Sequence, residues 1–294
     1  MTKGIAFIGF GEAGGAIVEG WGGSAAIRAY DIKTDNNATA APMRARYDRL
    51  GVVGCDSAAE AVAEADLVFS TVTADQAVKA AENCAPHMRK GSFWFDLNSC
   101  APSSKQRAAE LMAAVGARYV DVAVMAPVYP KRNMVPLLIA GPHAEDAKPL
   151  LEALPMAPRV VDGDVGAASS IKMIRSIMVK GLEALTAECV LAAVTAGVDE
   201  EVLASLLRSH PGVDWPVQAA YNFERGIVHG ERRAAEMREV VKTVEDLKLP
   251  AEMSAATVAW QSRIGALKLT PPEDPEGAKY NDFAQQLLPH LKKN

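Results

Sequence analysis

The stretch Ile5-Ala6-Phe7-Ile8-Gly9-Phe10-Gly11-Glu12-Ala13-Gly14 decides the fold: a short apolar run, then G-x-G-x-x-G, then a segment of helical pattern through Glu19. Gly9 permits the tight strand-to-helix turn, Gly11 lets the backbone approach a pyrophosphate, and Gly14 allows the helix to pack closely on the strand. Free N–H groups at the helix start, together with the helix dipole, then favour the phosphates. Glycines at this spacing also serve ordinary turns. The position between a strand and a helix is what makes the motif a dinucleotide fingerprint, so Gly9, Phe10, Gly11, Glu12, Ala13 and Gly14 form the expected cofactor turn. Asp31 ends the next strand-like run, where a carboxylate accepts hydrogen bonds from the adenosine ribose hydroxyls and repels a 2′-phosphate, favouring NAD over NADP. Lys33 tempers that preference, because its ammonium is able to pair with such a phosphate, and NADP stays open.

Outward from this turn, β-branched or apolar runs alternate with helix-like segments, the pattern of βαβ units on a parallel sheet. Strands are expected at Ile5–Ile8, Ala26–Tyr30, Leu67–Thr71 and Phe93–Leu97, with Tyr119–Val124 and Leu137–Ala140 extending the sheet. Ser57 caps a run of Ala and Glu, and Pro102 with Ser103 and Ser104 opens another helix through Met112. After Gly166 the β-like runs disappear, and Ala, Leu, Glu and Arg dominate segments of helical period through Gly265. The fold class is therefore α/β: a doubly wound Rossmann-type domain over residues 1–165, followed by an all-α domain over residues 166–294. A helix from about Ala168 to Ala196 exceeds the average globular length, and its early turns are expected against the cofactor cleft. Pro271-Pro272-Glu273-Asp274-Pro275 breaks the chain before an amphipathic tail, Tyr280–Leu291, which either packs across a subunit interface or frays.

Composition narrows the partners. The 294 residues are 49% hydrophobic, enough for two domains with their own cores. A formal net charge of -5 argues against a general affinity for nucleic acid or an anionic membrane surface, which leaves small molecules. Met1-Thr2-Lys3 leads straight into the first strand without the apolar core of a secretory signal. The apolar stretch Ile177–Gly197 is interrupted by Lys180, Glu183 and Glu188, so it reads as a globular helix. A soluble, cytoplasmic protein is expected, with neither a membrane nor a nucleic-acid partner. Cys55, Cys84, Cys100 and Cys189 form no C-x-x-C pair, which predicts reduced thiols rather than a metal site.

In a doubly wound sheet, ligands lie beyond the carboxyl ends of the strands. Val72-Thr73 and Asn98-Ser99 occupy such ends, which makes Val72, Thr73 and Asn98 candidate cofactor contacts. Ordinary strand-end polar residues explain them equally well, and for Asn98-Ser99-Cys100-Ala101-Pro102 so does a helix cap.

With these motifs the chain resembles the β-hydroxyacid dehydrogenase and 6-phosphogluconate dehydrogenase superfamily, in particular a branch of NAD(P)-binding phosphogluconate dehydrogenase-like proteins. Gly9–Gly14 match its fingerprint, Val72-Thr73 and Asp96-Leu97-Asn98-Ser99 its strand-end loops, and Gly163-Asp164-Val165-Gly166-Ala167-Ala168-Ser169-Ser170-Ile171-Lys172 its catalytic helix. The resemblance implies that Lys172 is the general acid/base. The residues themselves support that role less strongly. Oxidation of a secondary alcohol needs a base for the hydroxyl proton, and a lysine serves if burial and a nearby nicotinamide cation lower its pKa. At about 100° per residue, Lys172, Ser176, Lys180 and Glu183 share a polar stripe opposite Ile171, Ile174, Met178 and Leu182; such a stripe suits a cleft or plain solvent.

Two departures bear on the substrate. Ser176, with Arg175 beside it, stands where the family has an asparagine, and Asp121-Val122-Ala123-Val124-Met125-Ala126-Pro127 replaces a loop rich in serine and glycine. Substrate contacts are therefore expected from Ser99, Met125, Arg175, Ser176 and Lys180, with Lys131-Arg132 as further candidates; each cation reads equally as a solvated charge. The segment His229–Met237 resembles the C-terminal part of the same branch, with His229 read as an exposed residue at a helix start. Trp215, Tyr221 and Phe223 read as helix packing.

The resemblance implies hydride transfer between NAD(P) and a 3-hydroxyacid or related hydroxylated carboxylate, with loss of carbon dioxide from a 3-keto product left open. The alternatives are an NAD(P)H-dependent ketone or imine reductase and a non-catalytic dinucleotide sensor. A homodimer through the helical domain is expected from the resemblance and from its many Ala and Leu positions.

Overall fold

Phenylalanines in register hold the sheet together. Phe7, Phe69 and Phe95 are direct neighbours across three parallel strands, with ring centroids 5.2 and 4.9 Å apart. On the opposite face Ala6, Val68 and Trp94 form a second buried layer. Ile5–Ile8, Leu67–Ser70 and Phe93–Asp96 are buried along their full lengths, which calls for apolar side chains, except that Ser70 and Asp96 at two strand ends are met by hydrogen-bond partners.

The computed structural model describes residues 4–22, 26–272, 274 and 277–291. The expectations placed on Met1-Thr2-Lys3, Glu273 and Pro275 lie outside the described residues. The strands are β1 Ile5–Ile8, β2 Ile27–Tyr30, β3 Val53–Gly54, β4 Leu67–Ser70, β5 Phe93–Asp96, β6 Arg118–Val124, β7 Pro136–Ala140 and β8 Ala157–Val160. They form one sheet in the order β3-β2-β1-β4-β5-β6-β7-β8, parallel except for the β6–β7 pair. The helices are α1 Glu12–Trp21, α2 Asn37–Leu50, α3 Ala58–Val62, α4 Ala77–Cys84, α5 Pro102–Ala114, α6 Ala144–Ala153, α7 Ala167–Ala196, α8 Asp199–Ser209, α9 Trp215–Asp246, α10 Glu252–Gly265 and α11 Tyr280–Leu291. This is the α/β sheet with a helical C-terminal region that the sequence pattern predicts. Strand order reverses at β1, between β2 and β4, so the loops after these strands meet at a topological switch point, the usual ligand position in such a sheet.

Two strands escape the sequence reading for physical reasons. β3 is two exposed residues, too short to carry a period. β8 contains Pro158, a residue that ordinarily argues against a strand and is tolerated here because β8 is an edge.

The chain divides into two compact units, Met1–Met173 and Ile174–Asn294, the division falling inside α7. In the second unit, Val190, Leu191, Leu203, Phe223, Ile227, Ile264, Phe283 and Leu287 form a core. The tail helix α11 is part of it: Phe283, Ala284 and Leu287 are fully buried, so this segment packs within its own unit instead of fraying. α9 and α10 touch backbone to backbone at Gly230 and Gly265, where neither side has a Cβ.

Burial along α7 reverses the ordinary amphipathic pattern. Ser176, Lys180 and Glu183 are buried, while Ile174, Met178, Leu182 and Leu185 are exposed. Of the two readings of the polar stripe, solvent is therefore wrong for these three residues. No helix among the described residues is long and apolar enough to cross a membrane.

Candidate functional site

The glycine turn has the shape its spacing predicts. Gly9 has φ +80, and a Cβ there would lie 2.8 Å from both the Thr71 carbonyl oxygen and Val72 Cγ1. A Cβ on Gly14 would meet Thr71 Oγ1 at 3.0 Å, and the Thr71 hydroxyl donates to the Gly9 carbonyl at 2.6 Å. Gly11 is different: a Cβ there would meet nothing within 4 Å, so its bareness faces open space rather than a neighbour. Gly11 is also the N-cap of α1 and supplies no side-chain cap, with Glu12 and Ala13 beginning the helix. An open approach to an uncapped helix N-terminus fits a diphosphate, so the residues present suit a dinucleotide.

Asp31 holds this turn from the side. Its carboxylate accepts from Phe10 N at 2.7 Å and Lys33 N at 2.9 Å, while Thr34 Oγ1 donates to the Asp31 carbonyl at 2.7 Å. An ionised carboxylate has about four acceptor positions, so these two bonds leave capacity for ribose hydroxyls. The Lys33 side chain is exposed.

Beyond the other strand ends, Val72 lies against Gly9, and exposed Thr73 starts a short 3-10 turn without capping it through its hydroxyl. Asn98 is buried: its Nδ2 donates to Ser70 Oγ at 2.9 Å and Asp96 Oδ1 at 2.8 Å, and its Oδ1 has no hydrogen-bond partner among the described residues. The N-cap of α5 is Ala101, inside the Asn98–Pro102 segment, with Pro102 opening the helix and no side-chain cap bond. Lys172, in the second turn of α7, donates from Nζ to Ser99 Oγ at 2.6 Å. Fingerprint turn, strand-end loops and Lys172 all belong to the first unit. Met125 follows β6 and donates from its backbone N to the Pro136 carbonyl at 2.9 Å.

Lys131 and Arg132 are exposed in the first unit, where Arg132 pairs with Glu19 at 3.2 Å, and the remaining candidates lie in the second unit. Arg175 is exposed. Lys180 pairs with Glu236 at 2.6 Å and donates to Ser176 Oγ at 3.5 Å. Next to them Arg233 pairs with Glu183 at 2.7 Å, and Gln261 donates to the same carboxylate at 3.3 Å. Burial raises the Glu183 carboxyl above its usual range, against the opposing pull of Arg233 and Lys180.

His229 sits in the middle of α9 and is half-buried, which corrects the reading of an exposed residue at a helix start. Burial, then Arg232, Arg225 and Arg233, push its imidazole down to about 4. An unfolded histidine titrates near 6.5, so between pH 6.5 and 4 the unfolded chain binds the extra proton and this group's contribution to stability falls as pH falls. Thermal unfolding is expected to show a smaller loss between pH 7 and pH 5 in His229→Gln than in the wild type; equal losses would refute the assignment.

The sequence reading missed a buried polar network in the first unit. Lys105, on α5, is fully buried; its Nζ donates to the Asp96 carbonyl at 2.6 Å and to Asp96 Oδ1 at 3.0 Å, and lies 3.5 Å from Asp121 Oδ1. Tyr119 OH donates to Asp96 Oδ2 at 2.7 Å. Burial works against the Lys105 ammonium, yet Asp96, then Cys100 and Asp121, raise its pKa above the ordinary value. The available signal was a carboxylate inside each of two otherwise apolar strands, Phe93-Trp94-Phe95-Asp96 and Val120-Asp121-Val122, since a buried charge requires a partner.

Residues 4–161 match the family described as the NAD binding domain of 6-phosphogluconate dehydrogenase, and residues 193–264 match a domain of unknown function. A conserved hypothetical protein from Sinorhizobium meliloti 1021 is 38% identical, with 99% of this chain and 97% of that one covered and a TM-score of 0.76. The 3-hydroxyisobutyrate dehydrogenase of Pseudomonas aeruginosa is 28% identical over 186 residues, 60% of this chain and 61% of that enzyme. A solved structure of the Mycobacterium tuberculosis 3-hydroxyisobutyrate dehydrogenase with L-serine has the same fold, with a TM-score of 0.73 and 20% identity over 98% of this chain and 99% of that one.

Proposed function

Because the chain belongs to the family of the NAD binding domain of 6-phosphogluconate dehydrogenase, we propose that it transfers a hydride between NAD and a 3-hydroxyacid or related hydroxylated carboxylate. The observation that carries this reading is the 2.6 Å bond from Lys172 Nζ to Ser99 Oγ, in the same unit as the Gly9–Gly14 turn. In oxidation the Lys172 amine takes the hydroxyl proton as the hydride leaves carbon; in reduction its ammonium returns a proton to the carbonyl oxygen. Ser99 orients that amine. When bound, the nicotinamide supplies the hydride acceptor or donor. The backbone N–H groups of α1 would hold the pyrophosphate and Asp31 the adenosine ribose, with Val72, Thr73 and Asn98 as contacts for the nicotinamide end. Ser99, Met125, Arg175, Ser176 and Lys180 are the proposed substrate contacts, in an enzyme of the cytoplasm.

A panel of 3-hydroxyacids incubated with NAD, and separately with NADP, tests this reading through the absorbance of the reduced nicotinamide. Turnover of at least one acid supports it. A protein that binds NADH yet turns over none of the panel is a dinucleotide sensor, and the reading fails.

Cofactor choice follows from Asp31. Asp31→Asn removes the anion that repels a 2′-phosphate and weakens its acceptance of ribose hydroxyls, so NAD affinity is expected to fall about tenfold while NADP affinity rises. Fluorescence titration with NADH and NADPH reads both constants; an unchanged ratio would separate Asp31 from the choice.

A homodimer is part of the proposal. Ile174, Met178, Leu182 and Leu185 on α7 are 47%, 63%, 44% and 59% exposed, a contiguous apolar stripe of the kind that soluble monomers rarely leave open. Met178→Glu with Leu182→Glu is expected to halve the mass measured by sedimentation; a wild type that sediments as a monomer would refute the dimer.

A further inference from the structure

Neither the fingerprint nor the proposed chemistry uses Lys105, although it is fully buried and carries a charge. Its two carboxylate partners lead in different directions. Asp96 Oδ1, which accepts from Lys105, also accepts from the backbone N of Asn98 at 2.9 Å, the residue before Ser99. Asp121 Oδ2 accepts from Gly166 N at 3.0 Å, Ser169 N at 3.0 Å and Ser169 Oγ at 3.1 Å, which binds the start of α7 three residues before Lys172. Lys105 therefore stands between the carboxylate that fixes the Ser99 loop and the carboxylate that fixes the Lys172 helix.

We propose that Lys105 is a positioning residue for the Lys172–Ser99 pair, acting through Asp96 on one side and Asp121 on the other. This rests on the reading of Lys172 as acid/base given above. Charge accounting explains why a lysine is needed. Two buried carboxylates beside one ammonium leave a single excess negative charge, and the amide groups and dipole of the α7 N-terminus take it up. Without the ammonium, two like charges would face one another in an apolar surround, and the strand ends would move apart or take up a proton. The Ser99 loop and the first turns of α7 would then lose their common anchor. A displacement of about 1 Å in a catalytic pair costs on the order of a hundredfold in rate.

Lys105→Met alone risks unfolding, because it strands both carboxylates. The double variant Lys105→Met with Asp121→Asn removes one charge of each sign and keeps the cluster's net charge. Leu151→Ala, a cavity in the sheet core away from the cluster, serves as the control for general destabilisation. The primary readout is the rate at which an amine-acylating reagent labels Lys172 at neutral pH, followed by peptide mass spectrometry, which requires no substrate. The expected result is a rate changed about threefold or more in the double variant, as half a pKa unit or a lost hydrogen bond produces, with Leu151→Ala as in the wild type. Where turnover is found, kcat falls about a hundredfold in the double variant. Wild-type labelling kinetics in the folded double variant would overturn the proposal. So would an equal change in Leu151→Ala. An absence of wild-type turnover on every hydroxyacid would sink the proposed function, while the labelling rates would still decide the role of Lys105.

Discussion

Lys172→Ala is expected to lower kcat by about 10²- to 10⁴-fold while leaving the affinity for NADH within about twofold, because on the proposed reading the variant loses proton transfer and keeps the fingerprint turn. The separation of the two effects follows from where the groups lie. The proposed cofactor contacts are the backbone N–H groups after Gly11 and Asp31, whereas Lys172 touches Ser99 on another loop. Lys172→Arg is the sharper variant. It retains a cation and a donor for Ser99, but a guanidinium has a pKa above about 12 and does not accept a proton at neutral pH. If Lys172 only bound a substrate carboxylate, arginine would preserve much of the rate; if it is the acid/base, arginine is nearly as inactive as alanine. Steady-state kinetics on any acid that turns over, together with NADH titration of each variant, distinguishes the two.

Gly265→Ala is expected to destabilise the helical unit by about 2–3 kcal/mol, lowering Tm by roughly 4–12 °C. A Cβ on Gly265 would lie 2.5 Å from the Glu231 backbone N and 2.9 Å from the Gly230 carbonyl carbon. These are backbone atoms of α9, so no rotamer change relieves the overlap, and the two helices must separate. Gly230→Ala meets the mirror-image obstruction, with the Gln261 carbonyl oxygen at 2.7 Å and Gly265 Cα at 2.8 Å. Gly212, by contrast, has nothing within 4 Å of its missing Cβ, and Gly212→Ala should unfold like the wild type. Calorimetry on the three variants checks this, and equal midpoints for Gly265→Ala and Gly212→Ala would rule out the close helix contact.

The sheet was legible because its central strands are buried on both faces, a condition that apolar runs such as Ile5–Ile8 and Phe93–Phe95 satisfy. The glycine turn was legible because its positive φ and the backbone crowding at Gly9 call for glycine, with Gly14 tight against the Thr71 hydroxyl. The limits have equally physical origins. β3 is too short to express a period, and Pro158 disguises β8. Helical periodicity separated the two stripes of α7 but carried no information on which faced inward, since a buried polar stripe depends on partners such as Glu236 that lie far along the chain. Lys105 was invisible for the same reason. On its own helix it reads as a surface lysine, and only the approach of Asp96 and Asp121 across the fold makes it a buried, charged anchor.

The proposed reaction transfers hydride directly between substrate carbon and nicotinamide. A 3-hydroxyacid carrying deuterium on its carbinol carbon, chosen from those that turn over, is incubated with NAD and the wild-type protein, and the reduced cofactor is examined by mass spectrometry. One deuterium per reduced nicotinamide, with none released to water, is the predicted result. Reduced cofactor without deuterium, or tight NADH binding with every acid left unchanged, would contradict the account.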